Sequence, residues 1–307
     1  MDVRRLRLLL ALSRLGSMRA VADEMHLTTS TVSQQIAALA RDVGTPLIEP
    51  DGRLVRLTPA GRRLAEHAVT ILAAVEAARL DLSPGAEPAG TLRVAGFATA
   101  VRRSLLPIVA DLAVRHPAVR LLIHEHEPAE AFDLLAGDDI DLALTYDYNL
   151  APAAFDRTVE HTPLWSTAWS LGAPAGSLSA GFPAGFSGFP AGLSGRPSAV
   201  AVFGAFRDHD WIVNSRNPAD EHVVRTVASM AGFEPRVAHR VDSLELVQDL
   251  MVADLGVGLL PADQPTRAGL DLLPLTDPDV ILRSHAVIRR GRADWPPLAL
   301  VLRLLLA

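Results

Sequence analysis

The pattern of apolar and polar positions predicts three short helices and a hairpin within the first 58 residues. Ser17 stands directly before the second helical stretch, where its hydroxyl is suited to cap the first turn. A turn over residues 26–28 separates this helix from a third, predicted over residues 29–40. Two short helices joined by about three residues form a helix-turn-helix. The apolar faces of the first and third helices carry Leu6, Leu9, Leu10, Val32, Ile36 and Leu39.

A hairpin and a long helix are predicted next. Asp51-Gly52 is a turn signal and residues 53–57 alternate as a strand does, which predicts a wing. Thr58-Pro59 then suits the start of a helix whose apolar residues are spaced 4, 3, 4, 3 and 4 apart. This heptad spacing favours pairing with a second copy, and an amphipathic helix packed on its own domain is the alternative. The predicted dimerisation residues are Leu64, Ala68, Ile71, Val75, Ala78 and Leu82.

From residue 91 onward, strands alternate with helices. This pattern is typical of parallel α/β sheets, which bind ligands at the carboxyl ends of their strands. A first set covers residues 92–145 and a second set covers residues 211–260, before a closing strand and helix. Between the sets, residues 172–198 are rich in Gly, Pro and Ser and repeat a Gly-Phe-Pro-Ala-Gly motif. We interpret this segment as a surface insertion, with a partner-binding loop as the alternative.

Composition and charge narrow the chemistry. The 307 residues include no Cys, which excludes disulfides, thiol catalysis and Cys-based zinc sites. The net charge of −6 at first argues against nucleic acid as a partner. Divided after Leu82, however, the N-terminal part has 11 Arg against 9 acids (+2), and the remainder has 18 Arg against 26 acids (−8). The acidic balance therefore belongs to the second part of the chain.

Signals for membranes and catalysis are weak. No stretch reaches the ~18 apolar residues that span a bilayer, so we expect a cytoplasmic protein. Gly-x-Ser-x-Gly and phosphate-loop motifs are absent from the sequence, so we expect no enzyme. His124 and His126 share one face of a predicted strand. A metal site is conceivable there, but a solvated strand end is the favoured interpretation, and we expect neither a metal nor a cofactor.

Residues 25–61 read Met-His-Leu-Thr-Thr-Ser-Thr-Val-Ser-Gln-Gln-Ile and end in Leu-Thr-Pro-Ala-Gly. They closely resemble the N-terminal winged helix-turn-helix of LysR-type transcriptional regulators. The resemblance continues through the linker helix and residues 96–107, 137–144, 211–213 and 253–261, and covers nearly all of the chain except the insertion. It implies a dimeric or tetrameric DNA-binding protein. Its C-terminal half resembles periplasmic binding proteins, with a small-molecule effector in the cleft between two subdomains.

The resemblance and the patterns together predict an α/β fold class with an α-rich winged helix-turn-helix domain, a linker helix and two Rossmann-like α/β subdomains. We assign residues 1–58 to the DNA-binding domain and 59–90 to the linker (dimerisation) helix and hinge. Effector-binding subdomain I covers 91–161 and 269–307, and subdomain II covers 162–268. Two alternatives are a solute-binding protein or transferase of this architecture, and a regulator that bends DNA without effector control.

A recognition helix presents its N-terminal residues to base edges in the major groove. Gln34 is suited to read adenine, and Thr methyl groups are suited to contact thymine methyls. Arg53 and Arg56 on the wing suit phosphate or minor-groove contact, while Ser17 begins a helix whose amides suit a phosphate. The predicted DNA-binding residues are Ser17, Thr28, Thr29, Ser30, Thr31, Ser33, Gln34, Arg53 and Arg56.

The loop after the first strand of the α/β part opens a helix at residues 98–100, where free amides favour a carboxylate or another anion. Arg216 is suited to pair with an anionic effector, and the alternative is that Arg216 and Asp242 are ordinary surface residues. Glu127 borders the same region. The predicted effector-binding residues are Ala98, Thr99, Ala100, Pro128, Thr145, Tyr146, Asn214, Ser215, Arg216, Asp242 and Ser243. The expected partners are double-stranded DNA, a small-molecule effector, a second copy of the chain and RNA polymerase.

Overall fold

The computed structural model describes residues 2–51, 54–83, 87–177 and 197–307. Its N-terminal domain consists of α1 (Val3–Leu15), α2 (Met18–Glu24), α3 (Thr29–Val43), β1 (Ile48–Asp51), β2 (Leu54–Leu57) and α4 (Pro59–Asp81). β1 and β2 pair antiparallel and form the predicted wing, whose tip at residues 52–53 lies outside the described residues. None of the helices in the described ranges combines the length and the apolar character that crossing a bilayer requires.

Local capping signals determine where the helices of this domain begin and end. The hydroxyls of Ser17 and Thr28 accept hydrogen bonds from the backbone N–H groups of Ala20 and Thr31 at 3.4 and 3.1 Å, and so begin α2 and α3. Gly44 ends α3 with a φ of +73°, a left-handed conformation that glycine adopts without steric cost. α3 therefore continues past its predicted end at residue 40.

The long helix α4 packs one apolar stripe against the core of its own domain. The buried positions of that stripe are Gly61, Ala65, Ala68, Val69, Leu72 and Ala73. Ala68 was predicted to contact a second copy, but it is fully buried in this core and therefore unavailable. Leu82 follows the end of the helix and is 83% exposed. The remaining seam residues, Leu64, Ile71, Val75 and Ala78, form a neighbouring stripe that is half-buried to exposed.

The α/β part begins at residue 90. Its first set contains β3 (Gly90–Gly96), α5 (Ala98–Ala100), a π-helical turn (Val101–Leu105), α6 (Leu106–Arg115), β4 (Val119–Glu125), α7 (Pro128–Ala136) and β5 (Leu142–Tyr148). Its second set contains β6 (Val159–Pro174), α8 (Ala199–Ala205), β7 (Asp210–Val213), α9 (Ala219–Met230), β8 (Arg236–Arg240), α10 (Leu244–Val252), β9 (Val257–Pro261) and β10 (Leu270–Pro274). β11 (Ile281–Arg289) and α11 (Pro296–Leu305) follow.

The strands of this part join into one nine-stranded sheet in the order β4-β3-β5-β11-β6-β9-β7-β8, with β10 also paired to β6. β3 runs parallel to β4 and β5, and β7 runs parallel to β8 and β9, as strand–helix alternation predicts. The apolar core lies between the sheet and its helices. Tyr148, Phe203 and Trp211 are fully buried there, and the rings of Phe203 and Trp211 are 4.7 Å apart between centroids.

Strand β6 is 16 residues long and connects the two halves of the sheet. Residues 159–168 pair with β11, whereas residues 169–174 pair with β9 and β10. The predicted subdomain boundary after residue 161 therefore falls inside a continuous strand. The second predicted boundary also differs from the strand pairing, because β10 belongs to the half that contains β9 although it lies within 269–307. No turn marks the crossing within β6, whereas a turn at residues 277–279 separates β10 from β11.

The close approach of α4 to the wing generates a stability prediction. A Cβ at Gly61 would overlap the backbone carbonyl of Leu47, whereas a Cβ at Gly204 in α8 would meet no atom within 4 Å. We expect Gly61→Ala to lower the free energy of unfolding by about 2 kcal/mol, because backbone must move. Gly204→Ala is the matched control and is expected to be neutral or stabilising by ~0.5–1 kcal/mol. Urea denaturation measures both, and equal effects would contradict the packing described.

Candidate functional site

The N-terminal end of α3 presents a continuous polar surface to solvent. Val32 and Ile36 are fully buried, so core packing determines which face of the helix turns outward. The side chains of Ser33 and Gln34 are exposed and make no hydrogen bond within the described part of the chain, so their polar atoms are available to a ligand. The exposed residues are Thr28, Thr29, Ser30, Ser33 and Gln34, and Thr31 is half-buried. The hydroxyl of Thr28 also lies 2.9 Å from that of Ser30 and 2.8 Å from that of Thr31.

The basic residues near this surface differ in how accessible their charge is. Arg56 is exposed, but its Nε lies 2.9 Å from Oε1 of Glu49, its cross-strand neighbour, so a phosphate must compete with that carboxylate. Arg53 lies outside the described residues. Arg19 was not predicted, yet it is exposed in the first turn of α2, beside the Ser17 cap. An arginine beside a helix N-terminus suits a phosphate, and this position was recognisable in the sequence.

A cavity of about 220 Å³ lies between the two halves of the sheet. Residues at the carboxyl ends of β3, β5, β7 and β8 line it, which is where parallel α/β sheets bind ligands. Trp165, Thr167 and Trp169 of β6 contribute a wall that was not predicted. Six of the predicted effector-binding residues meet at this cavity, namely Ala98, Thr99, Tyr146, Asn214, Asp242 and Ser243.

The other five predicted residues lie outside the cavity lining. Ala100 is fully buried in the core, and Thr145 is buried because successive residues of a strand point to opposite faces and Tyr146 takes the cavity face. Pro128 lines a second cavity, which it shares with Tyr146. Ser215 is exposed and does not contact the cavity. The guanidinium of Arg216 binds carboxylates of the protein itself.

Arg216 bridges the two halves of the sheet through carboxylates. Its Nε donates to Oδ2 of Asp242 at 2.7 Å, and its Nη1 donates to Oε2 of Glu130 at 3.3 Å. Its Nη2 also lies 3.9 Å from Oε1 of Glu125. The hydrogen bond with Asp242 is the main reason that the pKa of Arg216 is raised. With three acidic neighbours around this guanidinium, the structure does not support Arg216 as a free partner for an anion.

Two carboxyl groups line the cavity without an ion pair among the described residues. Glu127 is 6% exposed and accepts a hydrogen bond from the Tyr146 hydroxyl at 3.0 Å. Burial raises the pKa of Glu127 to about 7 against the opposing effect of that hydrogen bond, and Asp242 and Asp220 raise it further. Asp220, in the first turn of α9, has a pKa raised to about 7 by burial, which its interaction with the Tyr148 hydroxyl opposes. Both groups therefore hold a proton readily near neutral pH.

Aromatic rings form much of the remaining wall. The ring of Phe97 lies 4.6 Å from that of Tyr146 and 6.3 Å from that of Trp165, between centroids. The guanidinium of Arg103 lies 4.4 Å from the centroid of Trp165. Trp169 is 7% exposed, and its Nε1 has no hydrogen-bond partner within the described residues. The site is therefore desolvated, aromatic and rich in carboxyl groups.

The His pair on β4 does not form part of a metal cluster. The rings of His124 and His126 are 6.3 Å apart, and Nδ1 of His126 lies 3.3 Å from Oε2 of Glu130. Over the described ranges, no group of three or more His, Cys, Asp or Glu side chains has the arrangement that holds a metal ion.

Two family models match the chain. The bacterial regulatory helix-turn-helix of the lysR family matches residues 3–62, and the LysR substrate binding domain matches residues 85–307. The transcriptional activator IlvY of Salmonella typhimurium is 32% identical over 155 residues, which are 50% of this chain and 52% of that protein. The chain thus spans about half the length of the first curated relatives it matches. The regulator ClcR of Pseudomonas putida is 27% identical over 270 residues, 85% of this chain and 83% of that protein.

Solved structures share the fold over the whole chain. A full-length OxyR variant from Pseudomonas aeruginosa has a TM-score of 0.67 at 18% identity, covering 99% of this chain and 93% of its own. ArgP from Mycobacterium tuberculosis has a TM-score of 0.64 at 20% identity, covering 99% of this chain and 96% of its own. This likeness supports the described arrangement of a winged helix-turn-helix, a long helix and two α/β halves.

The raised pKa of Glu127 predicts a pH-dependent stability. The folded protein holds this proton up to about pH 7, whereas the unfolded chain releases it near the ordinary value of 4.5. The stabilisation is therefore fully present at low pH and is lost as pH rises through 7. Between pH 5 and pH 8, we expect wild type to lose on the order of 2 kcal/mol more unfolding free energy than Glu127→Gln. Glu234→Gln, at a 78% exposed side chain, is the control for urea titrations. Parallel pH profiles for wild type and Glu127→Gln would refute the assignment.

Proposed function

Because the chain belongs to the LysR family of transcriptional regulators, we propose that a small-molecule effector in its cleft controls operator binding or promoter activation. The observation that carries this proposal is the cavity at β6, which both halves of the sheet line. The same chain presents an exposed polar helix end at α3. The role is regulatory rather than catalytic. The partners are double-stranded DNA, the effector and a second copy of the chain.

We assign the DNA contact to α3 and the wing. Ser33 and Gln34 face solvent on a helix whose opposite side is fixed in the core, as base reading in the major groove requires. The N-terminal part carries a net charge of only +2. Since nonspecific affinity depends on neutralised phosphates, binding by one copy is weak and two heads must act together.

Effector control follows from the position of the cavity. Its lining residues come from both halves of the sheet, and β6 runs through the connection between them. A ligand that contacts both halves favours the arrangement in which they lie closest together. Such a change in the angle between the halves is transmitted to paired DNA-binding heads in the same assembly.

The pairing surface is the stripe of α4 beside its buried face, where Leu64 and Ile71 pack partly on the chain's own core. Leu64, Ile71, Val75 and Ala78 lie beside the buried stripe rather than within it. They repeat at intervals of 7, 4 and 3 residues along the helix, which keeps them on one face. Ala68 is excluded from this surface by its burial, and Leu82 lies beyond the helix.

Replacing each of two adjacent glutamines by alanine tests the recognition helix. We expect Gln34→Ala to weaken binding by about 1–3 kcal/mol, because a bidentate contact with a base is lost. Gln35→Ala is the matched control, since its side-chain oxygen accepts a hydrogen bond from Nε of Arg5 at 3.0 Å within the protein. Fluorescence anisotropy on a fragment footprinted upstream of the protein's own gene measures both. Equal affinities for wild type and Gln34→Ala would refute the assignment.

The pairing surface is tested at Val75. We expect Val75→Glu to shift the assembly towards monomers, because pairing would bury two carboxylates against each other. Val75→Leu keeps an apolar side chain and is expected to leave the assembly intact. Sedimentation equilibrium measures the mass, and circular dichroism checks that each variant is folded. An unchanged mass for Val75→Glu would show that this stripe does not mediate pairing.

A further inference from the structure

The charges around the cleft cavity are unequal. Among the described residues, the lining includes one basic side chain, Arg102, and the five acids Glu125, Glu127, Asp220, Asp242 and Glu245. Arg102 donates to Glu245 through Nη1 at 3.2 Å. Arg216, just outside the lining, neutralises Asp242 and lies near Glu125. Within the described part of the chain, Glu127 and Asp220 remain without an ion pair.

These two carboxyls belong to opposite halves of the sheet. Glu127 caps α7 in the first half, and Asp220 lies in the first turn of α9 in the second half. Oδ1 of Asp220 is buried and makes no hydrogen bond within the described residues, and the neighbouring Tyr148 hydroxyl, which interacts with this carboxyl, is buried as well. One hydroxyl supplies one donor, whereas a carboxylate accepts several hydrogen bonds, so Asp220 keeps acceptor capacity for a ligand.

An independent observation comes from the aromatic wall. Trp169 is nine-tenths buried, lines the same cavity, and its indole N–H has no acceptor among the described residues. The cavity thus offers acceptors for a donor-rich group and one buried donor for a single acceptor atom. Trp165, which lines the cavity, already contacts one guanidinium, because Arg103, outside the lining, lies 4.4 Å from its ring centroid.

We propose that the effector is a small organic cation, an ammonium or guanidinium compound bearing one acceptor atom, held between Glu127 and Asp220 with its acceptor on Trp169. This inference rests on the proposed effector control of the cleft. An anion would add a like charge to a desolvated group of acids, and a neutral ligand would leave both carboxylates uncompensated once they ionise. The cavity of about 220 Å³ limits the compound to a small size.

The ionisation of the two acids makes binding pH-dependent. Glu127 faces Tyr146, Asp242, Asp220 and Arg216, and Asp220 faces Tyr148 and Asp242. Each has a pKa of about 7, so the ionised forms that attract a cation accumulate as pH rises from 6 to 8. Affinity for a cation therefore increases over this range, and binding near pH 7 releases protons. An anion would show the opposite trend.

The test uses three compounds of similar size on the full-length protein. The compounds are 4-guanidinobutanamide, its uncharged analogue 4-ureidobutanamide, and the anion glutaramate. Isothermal titration calorimetry at pH 6 and pH 8, in buffers of different ionisation enthalpy, reports affinity and proton release together. We expect the cation to bind at least about tenfold more tightly than its uncharged analogue and more tightly at pH 8. Binding of the anion, equal binding of the uncharged analogue, or no binding of the cation overturns the proposal.

Variants locate the cation. Glu127→Gln and Asp220→Asn are each expected to reduce its affinity by about tenfold or more, while Glu234→Gln leaves it unchanged. Unchanged affinity in both cleft variants overturns the proposal. If Asp220→Asn fails to fold, the affinity of Glu127→Gln and the proton release of wild type still test the proposal. A cation bound elsewhere would not depend on Glu127.

DNA binding separates this inference from the proposed function. If the cation binds the cleft but leaves the footprint unaltered, the ligand class stands and effector control fails. If glutaramate or the uncharged analogue alters the footprint while the cation does not bind, effector control stands and the ligand class is overturned.

Discussion

Strand β6 accepts hydrogen-bonded partners from two different parts of the chain, β11 along residues 159–168 and then β9 and β10 along residues 169–174. This single strand makes the two halves of the sheet one continuous structure, and it also supplies Trp165, Thr167 and Trp169 to the cavity wall. Any change in the angle between the halves must bend or twist this strand. The cavity and the connection between the two halves are therefore built from the same residues.

Elements defined by local signals were predictable, and elements defined by distant partners were not. Ser17 and Thr28 directly precede the helices that they cap, so the helix-turn-helix could be predicted from neighbouring residues. β6 contains Pro163, and its partners lie far along the chain, so its extent could not be inferred from its own residues. One signal was present, because Trp165, Thr167 and Trp169 alternate as residues on one face of a strand do.

The location of the cleft was predictable, whereas its charge was not. Thr99, Tyr146 and Asn214 follow from the rule that ligands bind at the carboxyl ends of parallel strands. The expectation of an anion rested on the helix start at residues 98–100 and on Arg216. It did not anticipate that Arg216 meets three carboxylates from two halves of the sheet, nor that Asp220 from α9 would reach the cavity, since both depend on tertiary packing.

The charges at the cleft act on its closure in opposite directions. Arg216 draws the halves together, because it lies in the second half with Asp242 and reaches Glu130 and Glu125 in the first. Glu127 and Asp220 oppose closure once both are ionised, because like charges repel strongly where water is excluded. Below pH 7 their protons relieve this repulsion, and above it the proposed cation between them would do so. In the proposed site the same charges govern closure and ligand affinity, so a cation that neutralises them would be coupled to the position of the two halves.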